Sequence, residues 1–271
     1  KQKTEDKEGK SQETHEYKTI KIEKMKKKVA KLIIDRPRHN TITSELLDDL
    51  DKAIDELAND TQVNVVIITG KGNIFSAGAE LSQYIANVFQ FVEFARKGQR
   101  IFKKLSEMPK LTIAVLKGHA LGGGLELALA CDLRVADKDV QIGLPEVTLG
   151  LVPAWGGTQR LPKLIGLGKA MELITTGRKI SGQEAFEIGI VNKIFEKIDS
   201  ESIQYAESIS ETTAPISLAL AKRLVNSGMD TSLDTGLEME SFAAGVIFST
   251  DDLKEGISSF LQKKKPNYKG K

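Results

Sequence analysis

Glu126 and Glu146 are the residues of this chain best suited to moving protons. Glu126 lies in Gly118-His-Ala-Leu-Gly-Gly-Gly-Leu-Glu-Leu-Ala-Leu-Ala-Cys-Asp132. Its neighbours Leu125, Leu127, Ala128, Leu129, Ala130 and Cys131 leave no polar face, so the helix that carries it is expected to be buried. A carboxylate is costly to bury unless it is paired or protonated, and such an expense marks a site. Just ahead, Gly122, Gly123 and Gly124 put side-chain-free backbone at a helix N-terminus. There the N–H groups have no intrahelical partner and the dipole favours negative charge. An oxyanion-binding amide at Gly123 and an acid–base group at Glu126 would thus sit one turn apart. The structural alternative for Glu126 is a capping box, which wants Ser or Thr where Gly123 stands. Glu146 follows Pro145 in Gly143-Leu-Pro-Glu146. Pro145 suits the first turn of a helix, which would set Glu146 near its positive end; taken alone, it reads as a helix-start acid.

A second amide comes from Phe75-Ser-Ala-Gly-Ala-Glu-Leu81, a loop after a strand-like run. Gly78 permits a turn that aims the Ala79 N–H inward, although by itself the segment is an ordinary strand-to-helix loop. Two N–H groups converging from separate loops are what a developing oxyanion needs. The sole tryptophan, Trp155, lies in the glycine turn of Val152-Pro-Ala-Trp-Gly-Gly-Thr-Gln-Arg-Leu161 and reads as packing rather than chemistry.

Other chemistries find no support. Gly70-Lys71-Gly72 follows a strand but lacks the third glycine of a dinucleotide fingerprint. Gly122–Gly124 lacks the Lys-Ser/Thr that ends a phosphate loop. His15, His39 and His119 have no metal-ligand spacing, and Gly-x-Ser-x-Gly is absent.

The elements that must position these groups alternate in type. Residues 18–23 alternate in polarity as a half-exposed strand does, and 28–35 read as a second strand. Thr43 or Ser44 can cap a helix reaching about Ala58, with Leu46, Leu47, Leu50, Ile54 and Leu57 on one face. Val63–Thr69 is a continuous apolar run, as in a sheet buried on both faces. A helix is predicted over 82–106, strands over 111–116, 133–136 and 140–143, and a strand-like stretch over 190–195. Helical periods recur at 200–225, 231–248 and 250–264. The fold class is α/β with a helical C-terminal third.

The 271 residues carry a net charge of +2, unevenly spread. Residues 1–31 hold eleven lysines against six acids, and the remainder is about −3. Residues 1–16 are predicted to be a disordered charged linker, 17–200 an α/β core and 201–271 a helical C-terminal region. The basic arm raises nucleic-acid binding as an alternative, but no aromatic residues interleave with its lysines. Cys131 is the single cysteine, which excludes an intrachain disulfide and fits a reducing, cytoplasmic setting. No apolar run approaches a membrane span.

Taken together, the motifs resemble the crotonase (enoyl-CoA hydratase/isomerase) superfamily. The matching segments are Ser76-Ala-Gly-Ala-Glu80, Ala120-Leu-Gly-Gly-Gly-Leu-Glu-Leu-Ala128, Gly143-Leu-Pro-Glu-Val147, Gly150-Leu-Val-Pro-Ala-Trp-Gly-Gly-Thr-Gln-Arg160 and Asp252-Leu-Lys-Glu-Gly-Ile-Ser-Ser-Phe260. The resemblance spans about residues 17–269. It implies a spiral of ββα units with a helical trimerisation region, assembled as a homotrimer or a hexamer made of two trimers. It also implies an acyl-CoA thioester substrate, no separate cofactor and no metal. The thioester oxygen would be held by the Ala79 and Gly123 amides, and Glu126 and Glu146 would act on one water. CoA contacts would come from Ala77, Leu81, Phe260 and Lys263, the last two often across a subunit boundary. A solvated basic tail is the equal alternative for Lys263–Lys265. Ala154 stands where relatives carry Gly, Glu80 where they carry Asp, and Arg36–Asn40 is one residue shorter than the common pattern.

Retention of both glutamates favours a short-chain enoyl-CoA hydratase over an enoyl-CoA isomerase, because hydration needs two proton-handling groups. A 3-hydroxypropionyl-CoA dehydratase would run the same chemistry in reverse. The polar leader is also compatible with a crotonase domain fused to, or associated with, a 3-hydroxyacyl-CoA dehydrogenase, as in some archaeal proteins.

Overall fold

The computed structural model describes residues 2–5, 11–80 and 87–271, with side chains from Thr14 onward in the first part. The predicted Leu81 contact therefore lies outside the described residues. The central sheet runs in the order β1 (Gln2–Glu5), β2 (Ser11–Glu16), β3 (Ile20–Lys24), β4 (Val29–Ile34), β5 (Val65–Gly70), β6 (Leu111–Leu116), β8 (Leu133–Ala136), β11 (Lys193–Ile194). The first four strands pair antiparallel, and β4, β5, β6, β8 and β11 pair parallel. A small second sheet holds β10 (Ile180–Ser181), β9 (Gln141–Gly143) and β7 (His119–Leu121).

The apolar run of β5 is explained by burial on both faces. Val66 and Ile68 join one core with α1 (Ser44–Asn59) and α2 (Val88–Glu107), whereas Val65 and Ile67 join another with α7 (Ile198–Thr212). In β6, Ala114 and Leu116 face the first core and Ile113 and Val115 the second. Thr43 caps α1 by accepting the Leu46 N–H at 3.2 Å.

Two local expectations are corrected, and two short strands were not expected at all. Residues 2–5 and 11–16 form strands where a disordered linker was expected. The open edge of β3 offers backbone partners regardless of side-chain polarity, and β2 takes them through Thr14, His15 and Glu16. His15 Nδ1 (2.5 Å) and the Tyr17 hydroxyl (2.8 Å) also meet Glu56 Oε2 on α1. The period expected over 200–225 is two helices, α7 and α8 (Pro215–Gly228). Pro215 cannot continue a helix from before it but suits the first turn of the next. Finally, β7 and β10 are too short to show a period of their own.

The remaining helices are α3 (Gly123–Leu129), α4 (Gly157–Ile165), α5 (Leu167–Thr176), α6 (Gly182–Glu187), α9 (Leu233–Phe248) and α10 (Asp251–Leu261), with a 3-10 turn at Pro145–Leu149. The C-terminal helices are tied to the sheet by a buried ion pair. Lys222 Nζ of α8 lies 2.8 Å from Asp132 Oδ2, which also accepts the Thr112 N–H (2.7 Å) and hydroxyl (2.8 Å). Asp132→Ala would leave the largely buried Lys222 ammonium without a counter-charge, with the Lys110 carbonyl at 2.9 Å as its remaining partner among the described residues. We expect a loss of about 3–5 kcal/mol in urea denaturation, and a loss below about 1 kcal/mol would refute this anchoring role.

Candidate active site

The site forms where the loops after β5 and β6 meet, beyond the carboxyl ends of parallel strands. Ser76 fastens the first loop. Its hydroxyl donates to the Asn40 carbonyl at 2.8 Å and accepts the Gly78 N–H at 3.2 Å. Its backbone pairs with His119 and Leu121 at the second loop. Asn40, buried with a φ of 50°, donates Nδ2–H to the Lys71 and Ile74 carbonyls. The short Arg36–Asn40 segment thus ends in a residue that braces this loop. Ser76 and Asn40 went unrecognised as site supports because their roles are visible only through long-range backbone partners.

Gly78 has a φ of +96°, which an L side chain rarely adopts, and the turn brings Ala79 to the start of α3. A Cβ at Gly123 would lie 3.5 Å from the Ala79 nitrogen, and one at Gly78 would lie 3.3 Å from the Gly123 nitrogen. Among the described residues, neither the Ala79 nor the Gly123 N–H finds a protein acceptor. Two donors therefore stand side by side with their hydrogen bonds unmade.

Glu126 follows one turn into α3 and is 2 % exposed. Its Oε1 accepts the N–H groups of Trp155 and Gly157, both at 2.8 Å. Burial pushes its carboxyl above the usual range, and those amides together with the Arg160 charge pull it back part of the way. Glu146 stands in the first turn of the 3-10 segment, with Oε1 3.0 Å from where a Cβ at Gly122 would be. Its Oε2 is buried and has no hydrogen-bond partner among the described residues. Burial first, then the nearby Glu126, pushes its carboxyl up to about 7. Two carboxyls in one largely buried site titrate as a pair, and the less hydrogen-bonded member, Glu146, is the better holder of a proton.

The cleft is lined by Ala77, Ala79, Gly123, Glu126 and Glu146, with Phe91, Leu149 and Val152 among its apolar walls. Five of the expected site residues are thus brought together. Phe260 and Lys263 do not line the cleft; Phe260 is 82 % exposed near the end of α10, and Lys263 follows that helix. Trp155 packs edge-on to Phe94 and Phe102, as its expected packing role requires, with ring centroids 5.0 and 5.6 Å away. Its backbone N–H nevertheless belongs to the site. Ala154 lines the cleft as well, and its carbonyl accepts from Gln99.

Comparison with known proteins decides the family. Residues 24–271 match the sequence profile of the Enoyl-CoA hydratase/isomerase family. The chain belongs to that family. It is 41 % identical over 244 residues to a short-chain-enoyl-CoA hydratase of Clostridium acetobutylicum, covering 88 % of this chain and 93 % of the relative. It is 39 % identical to a crotonyl-CoA hydratase of Syntrophomonas wolfei, covering 93 % and 98 %. Among solved structures, an enoyl-CoA hydratase from Bacillus anthracis superposes with a TM-score of 0.90 at 38 % identity, covering 94 % of this chain and 100 % of that one. The crotonase-like α/β fold expected from the motifs is the fold of this chain.

Proposed function

We propose that the protein is a hydro-lyase that adds water reversibly across the α,β double bond of a short-chain trans-2-enoyl-CoA, converting crotonyl-CoA to 3-hydroxybutyryl-CoA. The observation that carries this reading is the convergence of two unsatisfied amides with two carboxyls of unequal environment. The thioester oxygen accepts from the Ala79 and Gly123 N–H groups, which stabilise the enolate as charge moves onto it. Glu126, held by two amides, orients the water and takes one of its protons while the hydroxide adds at Cβ. Glu146, uncharged, gives its proton to Cα. Passage of the Glu126 proton to Glu146 restores the starting state, so atoms and charge balance. The reaction needs no separate cofactor, since CoA arrives as part of the substrate.

The same reading extends to assembly. Helix α9 is largely apolar yet buries no residue within the chain, leaving Leu233, Leu237, Phe242, Val246 and Phe248 exposed. Such a face suits a subunit interface in a trimer or in a hexamer of two trimers. The exposure of Phe260 fits a role at a neighbouring subunit's CoA site, with Lys263 beside it. Among the described residues no helix is long and apolar enough to cross a membrane.

The test is loss of the enoyl-thioester absorbance with crotonyl-CoA, with the product identified by mass. Fast formation of 3-hydroxybutyryl-CoA is expected. Absence of turnover on crotonyl-CoA, with double-bond migration on a 3-enoyl-CoA instead, would replace the hydratase by an isomerase.

A further inference from the structure

The turn that holds Glu126 is itself held from behind. Gln99 of α2 donates Nε2–H to the Ala154 carbonyl at 2.8 Å, and Arg160 of α4 donates Nη1–H to the Trp155 carbonyl at 3.0 Å. The carbonyl of each peptide group lies opposite its N–H. The Ala154 carbonyl therefore shares its peptide with the Trp155 N–H, which reaches Glu126 Oε1 at 2.8 Å. The Trp155 carbonyl shares its peptide with the Gly156 N–H, which lies in the same turn between the two N–H groups that hydrogen-bond Glu126 Oε1 and favours its carboxylate more weakly. Each peptide is held from the rear by a side-chain donor, and the first passes that polarisation to the carboxylate through its hydrogen bond. Gly156 has a φ of +114°, and a Cβ there would collide with the Arg160 guanidinium. That glycine leaves room for the cation.

We propose that Arg160 is a positioning residue for the hydration: its guanidinium fixes the Trp155–Gly157 turn and supplies the positive charge that keeps Glu126 an oriented carboxylate. This rests on the hydratase reading above. Two titratable groups bear on Glu126: the Arg160 cation from α4 favours its carboxylate, and Glu146 from the 3-10 turn, coupled to it, opposes a second negative charge in the pair. Burial makes the cation effective: the guanidinium is itself partly desolvated, and its charge is screened less than at the surface. Glu146 disfavours a second charge, so without Arg160 the proton of the pair would shift towards Glu126. Water activation would then lose its base.

The test compares wild type, Arg160→Met and Arg160→Lys in two measurements. The first is the pH profile of kcat/KM and kcat on crotonyl-CoA. The second is the titration midpoint of Glu126 by carbon NMR of glutamate-labelled protein, its resonance assigned with Glu126→Gln. In Arg160→Met, the acid limb and the Glu126 midpoint are expected to rise together by about one pH unit. We expect kcat to fall roughly ten- to a hundredfold, with KM within roughly threefold of wild type. Arg160→Lys, which keeps the charge, is expected to return the midpoint close to wild type even if Arg160→Met folds poorly. An unmoved midpoint in Arg160→Met, or a midpoint displaced equally in Arg160→Lys, would overturn the proposal. If wild type did not hydrate crotonyl-CoA, the hydratase reading would fail, and the NMR midpoint would still report on Arg160.

Discussion

Glu146→Gln is expected to lower kcat by about a thousandfold or more while leaving KM within roughly threefold. Glutamine closely matches the protonated acid in shape and hydrogen-bonding capacity, so the cleft keeps its form. What it lacks is a transferable proton. Because Oε2 of Glu146 has no protein partner among the described residues, the exchange breaks no protein hydrogen bond there, and the added N–H donor faces the cleft that water and substrate fill. A drop in kcat shared by a large rise in KM would point to lost binding, and retention of kcat would remove Glu146 from the mechanism. The same substitution carries a stability signature of definite sign. The Glu146 carboxyl is raised from 4.5 to about 7, so between those values the folded protein holds a proton that the unfolded chain has released. The contribution is fully present below 4.5 and is lost as pH rises to about 7. Glutamine has no such dependence. The Tm difference between Glu146→Gln and wild type should therefore grow in the variant's favour across that window and level off above it. Glu126 is raised as well and is coupled to Glu146, so it does not cancel: a neutral glutamine beside it makes the Glu126 carboxylate easier to form, which works in the same direction as pH rises.

Much of this site was legible because its chemistry is expressed in residue types that conflict with their surroundings. Glu126 is an acid in an apolar helix, and Gly122–Gly124 is a run of weak helix formers at that helix's start. The strands β4, β5 and β6 were legible for a related reason, since burial on both faces demands apolar runs. What could not be read depends on partners distant in sequence. Nothing local distinguishes Gln99 from a surface polar residue, and Arg160 was legible only as the end of a motif; their roles come from two carbonyls on a turn. Asn40 and Ser76 likewise act on backbone atoms from separate segments. The leader was misread for the opposite reason. Composition weighs side chains, whereas β2 is paired through backbone groups that every residue has. The break at Pro215 was printed in the sequence, but a helical period on both sides of it masked the interruption.

Gly123→Ala should damage activity more than stability. Alanine is the better helix former, so propensity alone predicts a small gain in stability. Packing predicts the reverse. The added methyl would run into the benzenoid edge of Trp155. That ring cannot easily give way, because Phe94 and Phe102 meet it edge-on and its Nε1–H reaches the Phe94 carbonyl at 3.4 Å. The cheaper relief is a shift of α3's first turn, which moves the Gly123 N–H away from the Ala79 N–H. A displaced donor acts chiefly on the transition state, where the oxyanion exists, and loss of one such donor costs about a hundred- to a thousandfold in kcat. The overpacking itself should cost about 1–3 kcal/mol of stability. If instead Trp155 moves, its backbone N–H is pulled from Glu126, and the acid limb of the pH profile should rise as well. The two routes separate cleanly: a fall in kcat with an unmoved acid limb locates the damage at the oxyanion site, and a moved limb locates it at the Trp155 turn. Wild-type kcat in a folded Gly123→Ala protein would contradict both, and with them the assignment of the Gly123 amide to the thioester oxygen.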